Sequence, residues 1–203
     1  PSPALSQQQR ETLCASAVRL TESLGYQGAG TLEYLYDDAS GEFFFIEMNT
    51  RSQVEHPVSE LITGIDLVQA MLRIAGGEPL GFKQSDIRLN GAALQMRLNA
   101  EDPARDFFPS PGLVEELIWP NGEGIRVDTH LYQGYRVPPY YDSLLAKLIV
   151  HGADRAEALA RARVAVRRTT LTGMASTLSL HGVLLEQPWL HSADFHTGTL
   201  ETW

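Results

Sequence analysis

The 203-residue sequence holds one cysteine, Cys14, and only two lysines, Lys83 and Lys147, beside 14 arginines. A single thiol excludes an intramolecular disulfide and a tetrathiolate zinc site, and it fits a reducing compartment. Basic residues are also outnumbered, 16 Lys and Arg against 25 Asp and Glu for a net charge of −9. Nucleic-acid binding relies on a basic footprint to displace phosphate counterions, so that class of partner is disfavoured, although a local basic pocket for a small anion or nucleotide is not. No apolar run approaches the ~20 residues that span a bilayer. The chain opens without the charged, apolar and small-residue order of a signal peptide. Cytoplasmic location follows as the expectation, with neither nucleic acid nor membrane as partner. The six histidines have no zinc-like pairing; His191 and His196 in "HSADFH" stand five apart without a third ligand.

What is present divides at a linker. The opening "PSPALSQQQ" is turn-like, as if cut from something longer. Leu13, Ala17, Leu20 and Leu24 then recur at helical spacing and stop before Gly25. "GYQGAG" lacks the phosphate-cradling GxGxxG spacing and reads as a turn. "TLEYLY" and "EFFFIEMN" are β-branched and aromatic runs around "DDASG", a hairpin composition. Helical spacing returns through Leu67, Met71 and Ile74, interrupted at Gly64 and ended at Gly76-Gly77. "EPLGFKQSD" divides the chain near residue 85, giving regions 1–85 and 86–203. Beyond it Ala92, Leu94, Met96 and Leu98 alternate with Gln95, Arg97, Asn99 and Glu101, the pattern of a half-buried strand. Further short runs separated by "FFPSPG" and "PNGEG" read as antiparallel β, and Asp154 with Glu157 three residues on reads as the cap of a helix. The fold class is α+β.

The hairpin carries the first chemical signal. A turn centred on Ser40 makes Glu33 and Glu47 cross-strand partners, and like charges directly opposite in a sheet are destabilising. A divalent cation would offset them. Strand alternation puts Asn49 on the face of Glu47, and two carboxylates with an amide oxygen are hard ligands suited to Mg²⁺ completed by water and nucleotide phosphates. A solvated face with both glutamates exposed is the competing reading. The next residues, "TRSQVEHP", pack Arg51, Gln53, Glu55 and His56 together. A guanidinium fork, an amide and a carboxylate suit a small planar acid and its deprotonation, or else form a polar loop that caps the following helix.

Taken as long ordered strings, "FFFIEMNTRSQVEHPVSELITGIDL", "RLNAEDP", "FPSPG" and "VPPYYDSLLAKLIVHG" resemble the biotin carboxylase component of biotin-dependent carboxylases, the group that includes acetyl-CoA and propionyl-CoA carboxylases and pyruvate carboxylase. The resemblance runs from about Gly25 to at least Gly173 and implies the C-terminal half of the family's fold. Residues 1–85 would be the C-terminal half of an ATP-grasp domain, an antiparallel hairpin plus helices. Residues 86–203 would be the biotin carboxylase C-terminal domain, an antiparallel β-sheet with helices.

The resemblance also implies an ATP-dependent ligase using bicarbonate, ATP and two Mg²⁺ or Mn²⁺ ions to carboxylate biotin on a carrier protein. Glu33, Glu47 and Asn49 would hold the metal ions, and Leu35 would lie near the nucleotide base with Glu33 and Glu47 at the phosphates. Arg51, Gln53 and the backbone of Val54 would bind bicarbonate. Glu55 would deprotonate it, and Arg97 would stabilise the biotin enolate. Expected partners are a biotin carboxyl carrier protein or domain, a carboxyltransferase and a second copy of the full-length enzyme. Another ATP-grasp ligase such as a carbamoyl-phosphate synthetase shares the "E-x-N" strand, but "RSQVEH" and "RLNAEDP" point away from it. A non-catalytic assembly module has no physical need for the charged set.

The family's glycine-rich lid and triphosphate-binding lysines belong to the half that these residues do not resemble, and Lys83 and Lys147 do not replace them. The isolated 203-residue chain is therefore expected to show no ATP hydrolysis dependent on bicarbonate and biotin. A coupled ADP-release assay checks this, and robust turnover would contradict it.

Overall fold

The computed structural model describes residues 2–203. The chain divides into two compact units, residues up to Leu89 and residues Asn90–Trp203.

In the first unit, Ser6 starts helix α1 (Gln7–Ser23): its hydroxyl accepts from the Gln9 N–H while the Gln9 side chain accepts from the Ser6 N–H. This reciprocal cap satisfies two donors that a helix start leaves open. Strands β1 (Thr31–Asp37) and β2 (Glu42–Asn49) form the antiparallel hairpin expected from their aromatic runs. At the turn the Asp37 carboxylate accepts from the Ser40 hydroxyl and the Ala39 and Ser40 amides, which hold it below the usual carboxylate range. One face of the hairpin is tied to α1 through Tyr36, which accepts from Gln9 Nε2 at 2.8 Å, and through Tyr34, 2.9 Å from Ser16 Oγ. Tyr34 also stacks edge-on against Phe43 and Phe45.

The interrupted helical pattern resolves into two helices, α2 (His56–Thr63) and α3 (Leu67–Ala75). Gly64 ends α2 in the left-handed region at φ 73°, which a residue without Cβ adopts at little cost. Asp66 caps α3, and the buried Glu60 carboxylate reaches across to the Leu67 N–H at 2.9 Å.

The second unit holds strands β3 (Ala92–Asn99), β4 (Glu101–Asp102), β5 (Phe108–Pro109), β6 (Leu117–Ile118), β7 (Ile125–Thr129), β8 (Leu144–Gly152) and β9 (Thr170–Leu171). Its helices are α4 (Arg155–Arg168), α5 (Leu178–Leu184), α6 (Pro188–Ser192) and α7 (Thr199–Thr202). An antiparallel sheet in the order β3-β8-β7 is flanked by the pairs β4-β5 and β6-β9. Asp154 caps α4 through the Glu157 N–H, and the face Leu159, Ala162 and Val166 packs with Met96, Leu148 and Val150 into one core. A second core gathers Ala100, Val114, Leu131, Val137 and Leu145.

The alternation along β3 holds where it matters: Met96 and Leu98 are buried and Arg97 between them is exposed. Across the sheet Arg97 stands opposite Lys147, and Lys147 opposite Asp128. Two cations side by side would repel, and Asp128 relieves this by pairing with Lys147 Nζ at 3.3 Å and with Arg126 Nε at 2.7 Å. Burial opposes the charge on Asp128, but those two cations outweigh it and hold its carboxyl below the usual range. Lys147 is thus committed to the sheet.

Leu148 is wholly buried at the centre of the first core. Leu148→Ala should lower the unfolding free energy by about 2–5 kcal/mol through lost burial and an incompletely filled cavity, read as a lower urea midpoint. A change below about 0.5 kcal/mol, the level of neutral surface substitutions, would show that this core does not carry the unit.

Candidate active site

The hairpin brings Glu33 and Glu47 directly opposite each other, and a bulge is the reason. Near the turn the partners are Asp37 with Glu42, Leu35 with Phe44 and Tyr34 with Phe45; the register then shifts so that Glu33 pairs with Glu47. Ile46 is the extra residue. The expected turn centre was therefore one half-step off, and the bulge made up the difference. Carried past Phe45 without a shift, the register near the turn would pair Glu33 with Ile46 and, because side chains alternate, send Glu47 to the face opposite Glu33.

The like-charge pair is held by amides. Asn49 Nδ2 donates to Glu33 Oε1 and to Glu47 Oε1, both at 2.9 Å, and Gln53 Nε2 donates to Glu33 Oε1 at 2.8 Å. Two carboxylate oxygens thus converge on one nitrogen. Arg51 closes the group from outside, with NH2 3.4 Å from Asn49 Oδ1 and NH1 3.3 Å from the Ser52 carbonyl. Sequence reasoning left the offsetting charge to a cation alone and did not assign this donor role to Asn49 and Gln53.

The set fits a hard cation. Two carboxylates aimed at one point match the two that a nucleotide-bound Mg²⁺ commonly takes, and Asn49 turned end for end would present its oxygen to the same point. Among the described residues no three His, Cys, Asp or Glu side chains form a metal cluster, so phosphates and water would have to complete the shell.

The loop after β2 leads into the remaining residues. Gln53 O accepts from the His56 N–H at 3.2 Å and from its Nδ1–H at 2.7 Å, which fixes the turn Gln53-Val54-Glu55. Glu55 is the exposed residue that begins α2, whose Val58 N–H donates to the Glu55 carbonyl at 3.0 Å. Leu35 lies one alternation from Glu33 on the same strand face, half-exposed opposite Phe44. Arg97 belongs to the second unit, on β3. Its carbonyl accepts from Thr177 Oγ1 at 2.9 Å and from His181 Nε2 at 2.8 Å, partners 80 and 84 residues away that no local pattern could have pointed to.

A hairpin that focuses two carboxylates is joined in one chain to an antiparallel domain, the two parts expected of the C-terminal half of an ATP-grasp fold. The family models agree unit by unit. Residues 1–83 match the ATP binding domain of the carbamoyl-phosphate synthase L chain, and residues 95–202 match the biotin carboxylase C-terminal domain. The latter takes in more than half of the chain, which belongs to the biotin carboxylase family.

Biotin carboxylase 1 of Bacillus subtilis is 44% identical over the whole chain, which spans 45% of that relative. Biotin carboxylase of Pseudomonas aeruginosa is 52% identical over 89% of the chain and 40% of its own length. The biotin carboxylase domain of Hydrogenobacter thermophilus 2-oxoglutarate carboxylase, solved as a dimer with MgADP, ADP and bicarbonate, superposes with a TM-score of 0.96 at 43% identity, covering all of this chain and 44% of that one. The chain thus spans less than half the length of these relatives. Among the described residues no helix is long and apolar enough to cross a membrane.

Mn²⁺ titrated into the chain and followed by its electron paramagnetic resonance signal should bind weakly to the wild type and be lost from both Glu33→Gln and Glu47→Gln. Equal binding by all three would place the ion elsewhere.

Proposed function

We propose that the chain is the C-terminal part of a biotin carboxylase, which uses ATP and bicarbonate to carboxylate the biotin of a carrier protein. Residues 1–85 serve as the C-terminal half of its ATP-grasp domain and 86–203 as its C-terminal domain. The observation that carries this reading is the focus of Glu33 and Glu47 on one point, with Asn49, Gln53 and Arg51 around it.

Glu33, Glu47 and Asn49 would hold the two divalent ions, Mg²⁺ or Mn²⁺, that accompany ATP, while Leu35 and its cross-strand neighbour Phe44 offer an apolar surface to the base. The ions, when bound, neutralise the triphosphate and favour attack at its terminal phosphorus. Arg51 and Gln53, with the Val54 N–H, bind bicarbonate. Glu55 takes the bicarbonate proton, and the oxygen freed of it attacks the γ-phosphorus as ADP leaves. A guanidinium beside the reacting oxygen lowers the cost of the added negative charge. The carboxyphosphate breaks down to CO₂ and phosphate. The phosphate takes the biotin N1 proton, and Arg97 stabilises the enolate that then attacks CO₂.

In this reading the carrier protein brings biotin, a carboxyltransferase chooses the final acceptor, the full-length enzyme is a homodimer, and the location is cytoplasmic. The dimeric form and bound MgADP and bicarbonate of the Hydrogenobacter relative support the nucleotide, the anion and the dimer. The first unit's match to a carbamoyl-phosphate synthase domain leaves that ligase as the nearest alternative, and the second unit's match weighs against it.

In the intact enzyme, Glu55→Gln and Arg51→Ala should cut bicarbonate-dependent ATP cleavage by about 10²–10³, the usual effect of removing one preorganised group. Arg97→Ala should spare ATP cleavage and cut carboxybiotin formation by a similar factor, with unfolding transitions unchanged. Unaltered carboxybiotin formation in Arg97→Ala would remove its assigned role.

A further inference from the structure

Arg97 sits near the C-terminal end of β3. β3 lies at the edge of the sheet, and its pairing with β8 slips between Leu98 and Asn99, just past the arginine. An edge strand points alternate backbone groups away from the sheet, and where a helix covers them they need other partners. Here the start of α5 supplies them. Thr177 Oγ1 donates to the Arg97 carbonyl at 2.9 Å and accepts from the Asn99 N–H at 3.0 Å, while the Thr177 N–H donates to the Asn99 carbonyl at 3.1 Å. One turn further on, His181 Nε2 donates to the same Arg97 carbonyl at 2.8 Å. A carbonyl only accepts, so the imidazole proton is on Nε2. Burial pushes the His181 ring below its ordinary value, against the hydrogen bond to Arg97, and keeps it neutral at pH 7.

We propose that Thr177 and His181 are positioning residues that clamp the backbone of Arg97, fixing the origin of a side chain that itself remains exposed. Thr177 is buried and fully engaged on the strand; His181 is half-buried and adds a second donor to the same oxygen. Both bond to the backbone of β3 rather than to the Arg97 side chain. They act through the strand, and a displacement of about 1 Å at a reacting group is enough to cost 10²-fold in rate. The inference rests on the reading of Arg97 as the enolate-stabilising group. That reading confines its effect to the biotin step, since the groups assigned to ATP and bicarbonate lie on the first unit.

The test uses the intact enzyme and measures two reactions, bicarbonate-dependent ATP cleavage without biotin and carboxylation of free biotin. His181→Leu and Thr177→Val should lower kcat for biotin carboxylation by about ten- to a hundredfold, leave ATP cleavage and the KM for ATP unchanged, and be rescued by His181→Gln and Thr177→Ser, which keep a donor. Thermal unfolding of each variant runs alongside. Impaired carboxylation in Arg97→Ala with normal carboxylation in His181→Leu and Thr177→Val would overturn the clamp and leave the reading of the site standing. Equal loss of both reactions, unrescued by the donor-keeping variants, would make the two residues merely structural and also overturn it. Normal carboxylation in Arg97→Ala would overturn the reading of Arg97 and the clamp together.

Discussion

The placement of the first unit's polar residues depends on bringing two carboxylates face to face. Glu33 and Glu47 repel, and the hairpin tolerates them because the Asn49 amide lies between them and Gln53 adds a second donor to Glu33. A hydrogen bond to a carboxylate is stronger than one between neutral groups, so two amides oppose one Coulombic repulsion at a partly solvated surface. The same arrangement sets the order of side chains along the chain. Metal-type oxygens come first on β2, the Arg51 guanidinium and Gln53 amide next, and Glu55 last at the entrance to α2.

That order joins cation-type and anion-type groups in one small network. Gln53 and Arg51, the groups suited to an anion, are each engaged with a member of the cation set, Gln53 with Glu33 and Arg51 with Asn49. Any ion that draws the carboxylates to itself changes what those donors bond to. Second-unit chemistry is built differently. Arg97 stands on a sheet face where Asp128 pairs with both Lys147 and Arg126, so the neighbouring cation is neutralised locally and the arginine's own strand is stabilised from the edge by α5.

Much of this was legible from residue order. The hairpin, the capped helices and the buried-exposed alternation of Met96, Arg97 and Leu98 follow from local patterns, since period and capping are properties of neighbouring residues. The Glu33–Glu47 pairing was also legible, but its cause was not: a bulge at Ile46 depends on how two strands twist and pair, and nothing in "FFFIEMN" marks which residue will be left over. The split of one helical pattern at Gly64 was visible as an interruption, whereas the Glu60 contact that joins α2 to α3 was not.

The sequence by itself determined the types and spacing of the chemical groups: two carboxylates, an amide, a guanidinium and a further carboxylate in order, then an arginine on a polar strand face. Local alternation and family-like strings carry that information, because they involve residues close in the chain. Only the tertiary structure decided which amide meets which carboxylate and which distant side chains support Arg97. Thr177 and His181 reach it across 80 and 84 residues, and such contacts arise from packing a helix against a sheet edge whose unpaired carbonyls require donors.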